Sequence, residues 1–148
     1  MSEYTKSVEY LIRKLRGWNL PEAPATADFL EVHKDHIPNP MSLLQRLNNF
    51  QEISDEILVK SGFRGHESME WDSMYDYIGT LSNIVRQLRG WHIPVATQIA
   101  KFLDKNSDHI SSPNHLLAVL HNFKFLAEAA KKDMRLSGLK SGTWASEN

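Results

Sequence analysis

Among the polar residues that recur in this chain at a constant separation of 73 positions are Arg16, Asp35, His36 and Asn49, matched by Arg89, Asp108, His109 and Asn122. Each set holds a fixed cation, a carboxylate, an imidazole and an amide, chemistry suited to holding a ligand or a partner. An architectural reading competes with that one. An arginine that ends a helix complements the helix dipole. A histidine at the end of the next helix can occupy its last carbonyls, and the aspartates can pair with the arginines across the loops. An asparagine inside a helix can hydrogen-bond loop backbone that would otherwise be buried unpaired. The functional reading makes the two sets equivalent ligand or partner sites at the corner between the first and second helix of each copy. Trp71, just ahead of the second copy, joins them as an aromatic anchor of the kind that dominates protein interfaces.

Other chemistry finds less support. His33 and His36 lie three apart and His115 and His121 six apart, but His33 aligns with Asn106 and His115 with Ser42, so the copies share no ligand set. No metal and no cofactor is expected, and no His-Glu-x-x-His spacing occurs. The chain contains no cysteine, which removes disulfides, thiol catalysis and cysteine-held zinc together. Arg86 and His92 stand in an Arg-x5-His spacing that resembles the motif of HEPN-type helical ribonucleases. However, Gly90 is expected to end the helix before His92, and the first copy has Asn19 there. No phosphate-cradling loop or nucleophile elbow is present, so an enzyme is not expected.

The elements that must position these residues follow from the repeat itself. Shifted by 73 positions, the segment from Tyr4 to Phe50 aligns on its second copy without a gap, with 20 identities in 47 positions. Leu15-Arg16-Gly17-Trp18 falls on Leu88-Arg89-Gly90-Trp91, and Asn49-Phe50 on Asn122-Phe123. Most shared positions are apolar, glycine or proline.

Each copy predicts three helices. The first runs over about 3–16 and again 73–89, on apolar residues spaced three and four apart. Gly17 and Gly90 are placed for a left-handed helix end, with Trp18 and Trp91 folding back. The second helix carries Ala27, Phe29, Leu30 and Val32, or Ile99, Ala100, Phe102 and Leu103. Asn39-Pro40 and Ser112-Pro113 each set a capping side chain before a proline at the first helical position, a strong start for the third. Its stripe is Leu43, Leu44, Leu47, Phe50, Ile53 and Ile57, matched by Leu116, Leu117, Leu120, Phe123, Leu126 and Ala130.

The expected fold is therefore all-α: six helices as two tandem three-helix repeats, related by a pseudo-two-fold axis and packed into one helical domain. Residues 1–62 form the first repeat, 63–72 a linker, 73–138 the second repeat and 139–148 a flexible tail. Either repeat alone would bury too little surface.

Net charge is −1, which does not indicate a strongly basic nucleic-acid binder. No run approaches the 18 apolar residues of a membrane span, so no membrane association and a cytoplasmic location are expected. The function expected is a non-catalytic interaction or regulatory module for a protein partner. Trp71, Tyr75, Phe63 and Trp144 are candidate anchors. A homodimer through the third helices is a further expectation, because Phe125 replaces Glu52 and widens the apolar stripe. The alternative is a nucleic-acid-binding regulator that uses the duplicated basic helix ends Arg13, Lys14, Arg16, Arg86 and Arg89.

Overall fold

The computed structural model describes residues 3–60 and 74–136, with side chains up to 58 and from 81 onward. The expected linker and tail fall outside these residues, and so do Phe63, Trp71, Trp144 and the side chain of Tyr75. Six α-helices and no strand are present among the described residues: α1 (Glu3–Arg16), α2 (Glu22–His33), α3 (Pro40–Lys60), α4 (Met74–Gly90), α5 (Pro94–Lys105) and α6 (Pro113–Asp133). One 3-10 turn, Lys34–His36, follows α2. No helix among the described residues is long and apolar enough to cross a membrane.

The third-helix starts form as their residue types require. Asn39 Oδ1 accepts the backbone N–H of Ser42 at 2.9 Å, while Ser42 Oγ accepts the Asn39 N–H at 3.2 Å, a reciprocal cap ahead of Pro40. Ser112 Oγ accepts the His115 N–H at 3.3 Å ahead of Pro113. Orphan donors at each start are thus taken up by side chains.

The first-helix ends depart from expectation. Neither Gly17 nor Gly90 adopts a left-handed conformation, and a Cβ added at Gly90 would meet nothing within 4 Å. The helices close instead by tightening: Trp18 N donates to Leu15 O at 3.1 Å and Trp91 N to Leu88 O at 3.3 Å. This turn alone brings both indoles against the core, where they are partly buried. Positive φ is found at His92 (56°) instead. A second departure is Val32, which is 73% exposed. The buried face of α2 is Glu22, Ala23, Thr26, Ala27, Phe29 and Leu30, and residue 32 points away from it.

α1 lies on α2 and α4 on α5; α2 lies on α6 and α3 on α5. α2 also touches α5, and the most extensive contact is between the two 21-residue helices α3 and α6. The core therefore centres on α2, α3, α5 and α6, with α1 and α4 outside. Four phenylalanines run through it. Phe50 stacks on Phe123 with ring centroids 5.8 Å apart and planes 14° apart. Phe29 meets Phe50 edge-on at 5.4 Å, and Phe102 meets Phe123 edge-on at 5.3 Å, the favoured geometry for aromatic quadrupoles. Polar contacts flank this seam: Gln51 Nε2 donates to Lys124 O at 3.4 Å and to Glu128 at 3.0 Å. Lys131 Nζ reaches Gln51 Oε1 at 2.6 Å and Asn48 Oδ1 at 3.0 Å. Between α5 and α2, Gln98 Nε2 donates to Ala25 O at 3.0 Å.

α6 ends in the motif not found at Gly17. Leu136 N donates to Lys131 O at 2.9 Å and Arg135 N to Lys132 O at 3.1 Å, with Arg135 left-handed at φ 56° and Leu136 buried. A non-glycine residue in this conformation costs about 1–2 kcal/mol. Arg135→Gly is therefore expected to raise stability by about 1 kcal/mol, measured by urea unfolding. An unchanged or lower midpoint would contradict the assignment of strain to Arg135.

Candidate functional site

The two shared arginines each reach across to the second helix of their own copy. Arg16 Nη1 meets Asp28 Oδ1 at 2.7 Å and Arg89 Nη2 meets Asp104 Oδ2 at 3.3 Å. The carboxylates expected for them, Asp35 and Asp108, are not their ion-pair partners. Asp28 and Asp104 do not align with each other, so this pairing was invisible to the repeat comparison. The reason is geometric: an arginine in the last helical turn lies along the outer face of its neighbouring helix rather than reaching a loop.

Asp35 and His36 are exposed in the 3-10 turn, and Asp108 and His109 are exposed in the turn after α5. The histidines were expected to take up the last helical carbonyls. At α5 that role falls to Asn106, whose Nδ2 donates to Phe102 O at 2.9 Å. Asn49 is fully buried, and Asn122 is partly buried and donates to Glu22 Oε1 at 3.1 Å. The Asn122 contact is to a carboxylate on α2, not to loop backbone. Trp71 lies outside the described residues.

Arg89 and Asp108 do line one site together. A cleft of about 510 Å³ opens between α4 and the end of α5. Its floor is apolar, formed by Leu81, Val85 and Leu103, and Arg86 and Arg89 stand on the α4 wall. Asp104, Ser107 and Asp108 form the other wall, and Ser82 completes it. The lining comes from α4 and from the end of α5 and the turn after it, not from the 90–94 corner between the two helices.

A second surface is aromatic. Phe125 on α6 is 54% exposed and meets Trp18 edge-on, with centroids 5.7 Å apart. Trp18 follows α1, so this pair joins the two halves at the surface. The third-helix stripes, by contrast, are spent on each other inside the chain through Phe50 and Phe123.

Several ionisable groups are perturbed by burial. The Glu22 carboxyl is pushed up by desolvation, which the Asn122 amide and its own backbone oppose. The Tyr4 hydroxyl, pushed up to about 12 by burial, donates to Ile37 O at 2.9 Å. The His33 ring, 4.4 Å from the Phe29 ring, is pushed down by burial and then by His36 and Arg46. Glu128 is held down by the Gln51 hydrogen bond and by Lys131. Among the described residues, Ser111 Oγ lies 3.0 Å from His115 Nδ1. The same nitrogen faces the Ser111 backbone N–H at 3.3 Å and the pair sits exposed at the start of α6, which makes it part of the helix cap rather than a nucleophile and base.

Glu22, Ser82 and Ser107 escaped sequence reasoning because none is shared: Val95, Glu9 and Lys34 stand at the aligned positions. Reading the differences between copies, in addition to the identities, would have singled them out. Comparison with protein-family models, curated proteins and solved structures finds no match to this chain.

Proposed function

We propose that this chain is a non-catalytic interaction module: two three-helix copies, related by a pseudo-two-fold axis in one helical domain, that bind a protein partner through the Trp18–Phe125 edge. The symmetry reading is supported by three contacts between a residue and its own counterpart 73 positions away: Phe50 with Phe123, Gln51 with Lys124, and Ala25 with Gln98. A two-fold axis brings equivalent positions face to face in this way.

The observation that carries the partner reading is Phe125. A large aromatic side chain more than half exposed, braced edge-on by a half-buried tryptophan, is the form of an interface anchor held in a fixed orientation. The basic helix ends favour nucleic acid less, since Lys14, Arg16 and Arg89 already meet Asp133, Asp28 and Asp104 at 2.7–3.3 Å.

Affinity capture from source lysate, with nuclease added, tests the proposal on the full chain and on Phe125→Asp. The wild-type chain is expected to retain a protein partner after nuclease treatment. Phe125→Asp is expected to lose about tenfold or more of that capture with an unchanged helical circular dichroism spectrum. Loss of every partner on nuclease treatment, or equal capture by the variant, would overturn it.

A further inference from the structure

The α4–α5 cleft separates its charges by wall. Both cations, Arg86 and Arg89, stand one turn apart on α4, and both carboxylates, Asp104 and Asp108, stand at and beyond the end of α5. Between them lies an apolar floor of Leu81, Val85 and Leu103. The volume, about 510 Å³, is within the range of about 300–1,000 Å³ typical of small-molecule sites. A simple anion would face two carboxylates here, and a simple cation two guanidinium groups. The arrangement suits a ligand that carries both charges on one small group and an apolar body beside it.

We infer that this cleft is a binding site for a free α-amino acid with a large apolar side chain. Its carboxylate is taken by the guanidinium groups of Arg86 and Arg89, planar donors matched to a carboxylate. Its ammonium group is taken by Asp104 and Asp108, and its side chain covers Leu81, Val85 and Leu103. The Arg89–Asp104 pair across the cleft, at 3.3 Å with both side chains more than half exposed, contributes little to stability. A zwitterion between the walls replaces that single pair with two.

The first copy differs at two positions that line the cleft. At the positions of Ser82 and Ser107 it carries Glu9 and Lys34, and Lys34 is ion-paired to Glu31, the counterpart of Asp104, at 3.3 Å. Two small hydroxyl side chains have therefore become two long charged ones. The site lies in the second copy and is independent of the Trp18–Phe125 edge.

The test is a titration of the isotope-labelled full chain with L-phenylalanine and L-leucine, followed by amide chemical shifts. Saturable shifts are expected at Ser82, Arg86, Arg89, Ser107 and Asp108, with a Kd on the order of 1 mM for so small a ligand. N-acetyl-L-phenylalanine, which lacks the ammonium group, and L-phenylalaninamide, which lacks the carboxylate, should each bind about tenfold or more weakly. Arg86→Gln and Asp108→Asn should each weaken L-phenylalanine to a similar degree. Ser107→Lys should abolish binding by setting a long cationic side chain on the wall that is proposed to take the ammonium group. Phe125→Asp should leave amino-acid binding unchanged, which separates failure here from failure of the partner proposal. Absence of saturable shifts, binding of either capped analogue as tight as that of L-phenylalanine itself, or full affinity in Ser107→Lys would overturn the inference.

Discussion

Phe123→Ala is expected to destabilise the chain by about 4 kcal/mol, the range for removing a buried phenylalanine from a packed core. Phe123 is fully buried between two rings, stacked on Phe50 and met edge-on by Phe102. Truncation removes both contacts and leaves a cavity in the seam between α3 and α6. Phe50→Ala should cost about as much, because Phe50 stands in the same relation to Phe123 and Phe29. The two losses should not add. A double-mutant cycle should show a coupling of about 1 kcal/mol for the stacked pair. Urea unfolding measures all three terms. A loss below about 1 kcal/mol for either single variant would place that ring at the surface rather than in a core.

Asn122→Ala should cost about 2 kcal/mol at neutral pH, for an electrostatic reason. Glu22 is 2% exposed and its carboxylate accepts from Asn122. Burial raises the Glu22 carboxyl above its unfolded value, and the Asn122 amide works against that rise. A carboxyl raised in this way binds its proton more tightly in the folded chain. Its contribution to stability therefore falls as pH rises from the unfolded value through the folded one. Above that window the full penalty of a buried carboxylate is present. Removing Asn122 pushes the folded value higher still, so the cost of Asn122→Ala should be full near pH 7 and shrink as the pH is lowered through the window.

Glu22→Gln should remove the penalty altogether. That variant should be more stable than wild type at neutral pH by on the order of 1 kcal/mol, with the advantage fading under acid. Glu128, held below its usual range, contributes with the opposite sign. The difference between wild type and Glu22→Gln across the pH series isolates Glu22. An equal cost of Asn122→Ala at low and neutral pH, or a Glu22→Gln variant less stable at neutral pH, would contradict this reading.

The helix count and most of the core were legible because they rest on local rules. Asn39-Pro40 and Ser112-Pro113 cap and start their helices through side-chain chemistry that needs no tertiary context. The third-helix stripes are buried almost throughout because their three- and four-residue spacing admits a single apolar face. What could not be read depends on how helices lie against one another. Gly17 and Gly90 have the residue type of left-handed caps, yet both ends tighten instead, and the turn sets Trp18 and Trp91 against the core. Arg135 takes the left-handed position that glycine usually fills, because Leu136 is buried beyond it. Val32 fitted an apolar pattern but falls on the outer face of α2.

The candidate site divides the same way. The recurring residues Arg89 and Asp108 both line the cleft, but the partner of Arg89 is Asp104, which has no aspartate counterpart in the first copy. Ser82 and Ser107 also line the cleft, and as unshared residues they carry no signal in the repeat. The Trp18–Phe125 contact joins α6 to the end of α1 and depends on packing between the copies.

Nuclear Overhauser contacts across the three counterpart pairs are the most direct measurement of the proposed two-fold packing. Cross-peaks are expected between the rings of Phe50 and Phe123, between the Gln51 side-chain amide and Lys124, and between the Gln98 amide and Ala25. A spectrum in which these residues show contacts only within their own half, with none between positions 73 apart, would contradict it.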